Sequence, residues 1–276
     1  MLNFRKLFTK KCSIIGMVHV KPLPGTPLFG GNIEQIVTEA LRETEIYLKN
    51  DLDALLIENM HDVPYIQSQK FGPEITATMT RICTEIQKIT QKSVPCGIQV
   101  LSCGNKEALA IAKACALDFI RAEGFVFSHI GDEGFTDANA GELLRYRKYI
   151  DANDVLIFAD IKKKHSSHAI TSDVSLSETA KAAEYFLADG LVLTGTSTGV
   201  PAHLHELNQL KETTNLPIFI GSGVTKENLE DYIKADALIV GSHFKKGGLW
   251  SNEVDENRVR EFMDKIRYLG LKTMVN

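Results

Sequence analysis

Five residues whose chemistry can move protons or hold charge lie at or just beyond the ends of short apolar runs. They are His19 after 13-SIIGMV, Glu58 closing 54-ALLIE, Arg121 in 118-DFIRAE, and Asp160 and Lys162 at the end of 155-VLIFADIK. A carboxylate or imidazole there can take or give a proton, and an ammonium can stabilise a developing oxyanion. Asp160 and Lys162 are two apart, so a regular strand places both on one face with Leu156, Phe158 and Lys164. Buried charges persist only when paired, so Asp160 and Lys162 are expected to hold each other ionised, together with Glu58 and Arg121. In this arrangement Glu58 is the candidate base and Lys162 the general acid or electrostatic stabiliser. Asp160 orients Lys162, and His19 is a further titratable group. A Schiff base at Lys162 needs a depressed ammonium pKa, which the adjacent Asp160 opposes. The alternative for the whole set is a structural ion-pair network.

A second group carries glycine and hydroxyl chemistry. The runs 217-PIFIGSG and 237-ALIVGS stop at Gly221, Ser222 and Gly223 and at Gly241 and Ser242. Glycine lets backbone approach a ligand closely, and N–H groups at a following helix start can face an anion. Upstream, 194-TGTSTG adds Gly195 and Thr196 to the same candidate phosphate site, and Lys245 and Lys246 can add charge or form a solvated face. Tight turns without a ligand are the alternative. A metal is not expected: 165-HSSH, His61 and Asp62 lack both an HExxH helix and a third fixed ligand. No cofactor is expected either.

Eight such runs must place these residues: 13-SIIGMV, 54-ALLIE, 96-CGIQV, 118-DFIRAE, 155-VLIFAD, 190-GLVLTG, 217-PIFIGS and 237-ALIVGS. Each is followed by a segment of helical spacing, beginning near residues 33, 73, 105, 139, 177, 203, 225 and 255. Eight strand-helix units predict a single-domain (β/α)8 TIM barrel, α/β in class, whose site lies at the C-terminal strand ends. An open doubly wound sheet is disfavoured because no GxGxxG follows the first run. The expected boundaries are an N-terminal arm over 1–11, solvated, the barrel over 12–270 and a tail over 271–276. Loops 19–32 and 161–176 are candidate lids.

The composition, 44% hydrophobic and 24% charged with a formal charge of -4, argues against disorder and offers no basic patch for nucleic acid. No apolar run approaches the ~20 residues of a membrane span. The five cysteines are odd in number and widely spaced, which reads as reduced thiols. A cytoplasmic location follows, with a mitochondrial one as the alternative if the basic MLNFRKLFTKK acts in targeting. The chain is compatible with a homo-oligomer, though no segment marks an interface.

The segments 16-GMVHVKPLPGTP, 56-LIENMHDVPY, 158-FADIKKKH, 194-TGTSTG, 221-GSGVTKENL and 240-VGSHFKKGG, in this order, resemble the BtpA family over roughly Cys12 to Gly270. The resemblance implies a barrel of the ribulose-phosphate-binding group. It points in two functional directions: a photosystem I stabilising factor, and a protein of sugar metabolism acting on a small phosphorylated compound. The reading favoured here is an enzyme acting on a phosphosugar, nucleotide or ribosyl compound, as a lyase, isomerase or hydrolase. A non-catalytic assembly factor is the alternative.

Overall fold

The computed structural model describes residues 2–271. Eight parallel strands close into a barrel: β1 (Ser13–His19), β2 (Ala54–Glu58), β3 (Cys96–Gln99), β4 (Phe119–Ala122), β7 (Leu156–Ile161), β9 (Gly190–Leu193), β10 (Ile218–Ile220) and β11 (Ala237–Val240). All of their residues are buried, as expected of parallel strands covered on both sides. Alternation then sorts them. Ile15, Met17, Leu56, Phe119, Leu156, Phe158, Val192, Phe219 and Ile239 fill the barrel interior. Their neighbours, such as Ile14, Val18, Leu55 and Ile57, pack outward against the helices.

The outer layer is α2 (Ile33–Lys49), α3 (Pro73–Thr90), α4 (Asn105–Cys115), α5 (Ala140–Tyr149), α6 (Leu176–Tyr185), α7 (Leu204–Thr213) and α8 (Glu256–Tyr268). Local chemistry sets several of their starts. Asn32 Oδ1 accepts from Gln35 N at 3.2 Å, Pro73 opens α3, and Ser175 with Glu178 forms a capping box.

Three expectations are corrected. The arm over 1–11 is not solvated: α1 (Leu2–Leu7) carries Phe4, and Phe8 follows it, into the N-terminal end of the barrel. Phe8 meets Phe119, Phe158 and Phe219 with ring centroids 5.4–6.0 Å apart, so five aromatic rings close that end. A short basic stretch conceals this role because only two of its residues need be apolar. The helix expected over 225–234 is a single 3-10 turn, Leu229–Tyr232, because Asn228 Oδ1 accepts from Thr225 N and bends the chain into a side-chain-closed turn. Of the tail expected over 271–276, only Leu271 lies among the described residues. It is buried, so the barrel packing continues through it.

One feature has no counterpart in the sequence reading. After β4 the chain forms a hairpin, β5 (His129–Gly131) and β6 (Gly134–Thr136), and β5 also pairs with β8 (Ser166–Ser167) from the loop after β7. This small antiparallel sheet joins two loops above the C-terminal face. It includes part of the loop 161–176.

Candidate active site

The interior face of each strand ends in a polar residue or a glycine at one height of the barrel. His19, Glu58, Gln99, Arg121 and Asp160 are all at least nine-tenths buried. Arg121 Nε and Nη2 donate to Asp160 Oδ1 and Oδ2 at 2.8 and 2.9 Å, a two-pronged pair on the site floor. Although burial opposes its charge, the Asp160 carboxylate holds Arg121 firmly protonated. Glu58 faces the same interior, and burial pushes its carboxyl up despite Arg121 and Lys164 nearby.

His19 is fixed from behind. Its Nδ1 lies 3.2 Å from the carbonyl of Trp250, which can only accept, so Nδ1 carries the proton and Nε2 presents a lone pair. Nε2 stands 3.8 Å from Glu58 Oε2. Burial, reinforced by Lys245, keeps the ring neutral by lowering its pKa well below the ordinary value. The His19 amide donates to Glu43 Oε2, and the other oxygen of Glu43 pairs at 2.5 Å with the fully buried Lys245.

The expected Asp160–Lys162 pair does not form. Lys162 takes φ of +46°, which ends the strand's alternation just past Ile161. Its ammonium instead donates to the Thr171 carbonyl at 2.9 Å. Lys163 turns to Glu123, with Nζ 3.3 Å from Oε1. Lys164 is the lysine that enters the barrel mouth. It lines a cavity with Met17, His19, Glu58, Arg121 and Gly221. Among the described residues no hydrogen bond or ion pair engages its ammonium. Burial and the Arg121 guanidinium lower its pKa, opposed by Glu58 and Asp160.

The other wall of the cavity is made by two turns, Gly221 to Thr225 and Gly241 to His243, with Gly248 and Arg258 at the edge. The Gly221 amide donates to Leu193 O, yet no acceptor among the described residues takes the N–H groups of Ser222, Gly223, Val224, Gly241, Ser242 or His243. Successive unpaired amides of this kind form a nest for an anion. Glycine is required at Gly223, with φ of +70°, where a Cβ would sit 2.2 Å from Pro201 N. The Ser222 hydroxyl is not free for a ligand: it donates to Val200 O at 2.9 Å and accepts from Gly195 N at 2.8 Å. Gly195 thus braces the wall from outside and the Thr196 carbonyl accepts from His165 N in the loop after β7, so neither lines the cavity, while Thr198 and Gly199 do. Lys245 is consumed by Glu43 and Lys246 by Glu253, so the cation at this wall is Arg258, whose Nε donates to His243 O at 2.6 Å.

Of the residues weighed for a metal, Asp62 accepts from Leu23 N and Asn59, and His165 Nε2 accepts from Thr198 N, tying the loops after β7 and β9 together. Among the described residues no group of His, Cys, Asp or Glu is arranged to hold a metal ion. Lys164, Trp250 and Arg258 are the site residues that strand-end reasoning missed. Only Lys164 carried a signal, as the next same-face position after Lys162.

The model of the BtpA family matches residues 10–268. The chain belongs to the BtpA family. An uncharacterized Caenorhabditis elegans relative labelled mitochondrial is 44% identical over 259 residues, 93% of each chain. The photosystem I biogenesis protein BtpA of Synechocystis is 34% identical over 94% of this chain and 89% of its own. Among solved structures, thiamine phosphate pyrophosphorylase from Pyrococcus furiosus superposes with a TM-score of 0.59 at 14% identity, covering 94% of this chain and 98% of its own. Orotidine 5'-monophosphate decarboxylase from Methanocaldococcus jannaschii gives 0.57 at 16% identity over the same shares. These structural likenesses place this BtpA-family chain among (β/α)8 barrels. Among the described residues no helix is long and apolar enough to cross a membrane.

Proposed function

We propose that this BtpA-family protein is an enzyme acting on a phosphorylated small molecule, a phosphosugar or related ribosyl compound, by acid-base chemistry at the barrel mouth. The observation that carries the reading is that two turns lining the cavity of His19 and Glu58 hold six amide N–H groups without acceptors among the described residues. A phosphate seated there would take charge-assisted bonds from backbone, with Arg258 beside it. The rest of the ligand would extend over the floor. His19, its tautomer set by Trp250, serves as base through Nε2. Glu58, with its raised carboxyl, gives or takes a second proton, and Arg121 stabilises negative charge.

The test is calorimetric titration with inorganic phosphate, ribose 5-phosphate and unphosphorylated ribose. Both phosphorylated ligands should bind and ribose should not, and Arg258→Ala should weaken the two alike. If neither phosphorylated ligand binds, the anion nest is empty geometry and the reading falls.

A second reading follows the printed role of the Synechocystis relative, a factor for assembly of another protein. It is favoured by the exposed Phe127, Ile130, Phe135 and Ile170 in and beside the small antiparallel sheet. It requires that substitutions of His19 and Glu58 leave the cellular role intact. The label of the Caenorhabditis elegans relative supports the mitochondrial alternative for location.

A further inference from the structure

We infer that Lys164 forms a covalent imine with the carbonyl carbon of a phosphorylated aldose or ketose held in the barrel mouth. The inference rests on the anion-anchored reading above and narrows its substrate class to carbonyl compounds.

Several amines lie near the site and all but one are committed. Lys162 caps Thr171 O, Lys163 pairs with Glu123, and Lys245 pairs with Glu43. Among the described residues Lys164 is the only lysine lining the cavity, and its ammonium has no hydrogen-bonded partner there. An uncommitted amine in a partly enclosed cavity is a costly arrangement for structure alone, because a structural lysine lowers its energy by pairing. An Asp160 carboxylate free to pair with the amine would keep it charged and oppose imine chemistry at the end of β7. Both oxygens of Asp160 are instead held by Arg121, and burial, then the guanidinium, lower the Lys164 pKa against the opposing charges of Glu58 and Asp160. The free amine is thereby favoured, which is the nucleophilic form.

The backbone fixes where the amine stands. Lys164 N donates to Thr194 Oγ1 at 3.1 Å, and His165, with φ of +54°, turns the chain away immediately after. The side chain therefore emerges from a braced position between the β7 and β9 ends, with the anion turns of β10 and β11 following in barrel order. A ligand whose phosphate occupies those turns presents its carbon chain toward Lys164, His19 and Glu58.

The step balances without an added reagent. The Nζ lone pair adds to the carbonyl carbon while protonated Glu58 gives its proton to the oxygen, and His19 Nε2 removes a proton from the nitrogen, leaving a neutral carbinolamine. The protonated His19 returns that proton to the hydroxyl, which departs as water as the nitrogen lone pair forms the C=N bond. In sum, the amine, the carbonyl and the Glu58 proton give an iminium, one water and the Glu58 carboxylate, with charge conserved and His19 again neutral. The iminium draws electrons from an adjacent C–H or C–C bond, which His19 is placed to help break.

The test is reductive trapping on the full chain. Ribose 5-phosphate and dihydroxyacetone phosphate are each incubated with cyanoborohydride, and the adduct is read by intact mass and peptide mapping. At least one should yield one adduct per chain, with the mass of the sugar phosphate less one oxygen, located on Lys164. Excess inorganic phosphate should suppress it, and ribose should label about tenfold more slowly or less. Lys164→Arg should lose the adduct while keeping its melting temperature and its affinity for inorganic phosphate; Lys164→Gln, which removes the charge, serves as a second variant. Adducts scattered over exposed lysines, unchanged in Lys164→Arg, would overturn the proposal. Absence of any adduct while phosphate binds normally would overturn it too, leaving the anion site standing. Absence of both would remove the two together.

Discussion

The two ends of this barrel are closed by opposite chemistry. At the N-terminal end Phe4 and Phe8 meet Phe119, Phe158 and Phe219 in one aromatic plug, with Phe158 and Phe219 stacked at 4.3 Å. At the C-terminal end strands β1, β2, β4 and β7 terminate in His19, Glu58, Arg121 and Asp160, and the loops leave a cavity above them. One end therefore derives its stability from apolar area removed from water. The other depends on charges that must compensate one another. The difference teaches where function can reside: the plug has nothing to exchange with a ligand, while the rim holds amide donors and a lysine, Lys164, without partners among the described residues.

The contrast is most severely tested by removing the plug. Phe4→Ala with Phe8→Ala should cost about 5 kcal/mol or more by chemical denaturation, a large fraction of a domain's stability. The folded fraction should bind phosphate as before, and a loss of affinity would show that the ends are coupled. Next in size is Arg121→Leu, which strands Asp160 in the interior and should cost about 3–5 kcal/mol. The double variant Arg121→Leu with Asp160→Leu should recover most of that stability and none of the turnover. Recovery of activity would mean the pair is not part of the chemistry.

Gly223→Ala forces a side chain into a left-handed turn against Pro201, at about 1–3 kcal/mol. Calorimetry should show weaker phosphate binding, unlike any change at the plug.

Smaller again is the pH dependence of stability from the C-terminal end. His129 is buried, its Nε2 has no partner among the described residues, and burial, helped by Lys163 and His168 and opposed by Glu123, lowers its pKa to about 4. Below its ordinary value of 6.5 the unfolded chain takes a proton that the folded chain refuses. The contribution of His129 to stability should therefore fall as pH drops from about 6.5 toward 4, by about 1–2 kcal/mol near pH 5, in the same direction as those of His61 and His243, which burial also lowers to about 4. His129→Leu should flatten the slope in thermal melts, whereas the plug variant should keep it. Glu58 acts with the opposite sign, since its raised carboxyl binds a proton more readily when folded, so Glu58→Gln should steepen the fall. The least effect is expected at Lys246→Ala. Its exposed pair with Glu253 is screened by water, so the melting temperature and the phosphate affinity should both stay as they are.

Much of this architecture is legible in one dimension. Apolar runs alternating with helical spacing specify eight strands, and period-two alternation puts His19, Glu58, Arg121 and Asp160 on the interior face because each lies on or directly beside a regular strand. The Gly-Ser turns were legible as well: after β11 the open amides belong to the start of a 3-10 turn, Ser242–Phe244, and after β10 to an irregular turn. The sequence misleads at Lys162, where a single left-handed residue ends the alternation and transfers the interior position to Lys164. It is silent about Trp250, which sets the His19 tautomer, and Arg258, which flanks the anion turns from α8. Local rules of period and turn chemistry act over a few residues and are written in the chain itself. The partner of a charge, the tautomer of an imidazole and the freedom of an amine depend on groups 39 to 231 positions away, as with Arg121 and Asp160 or His19 and Trp250, and only the closed barrel brings these together.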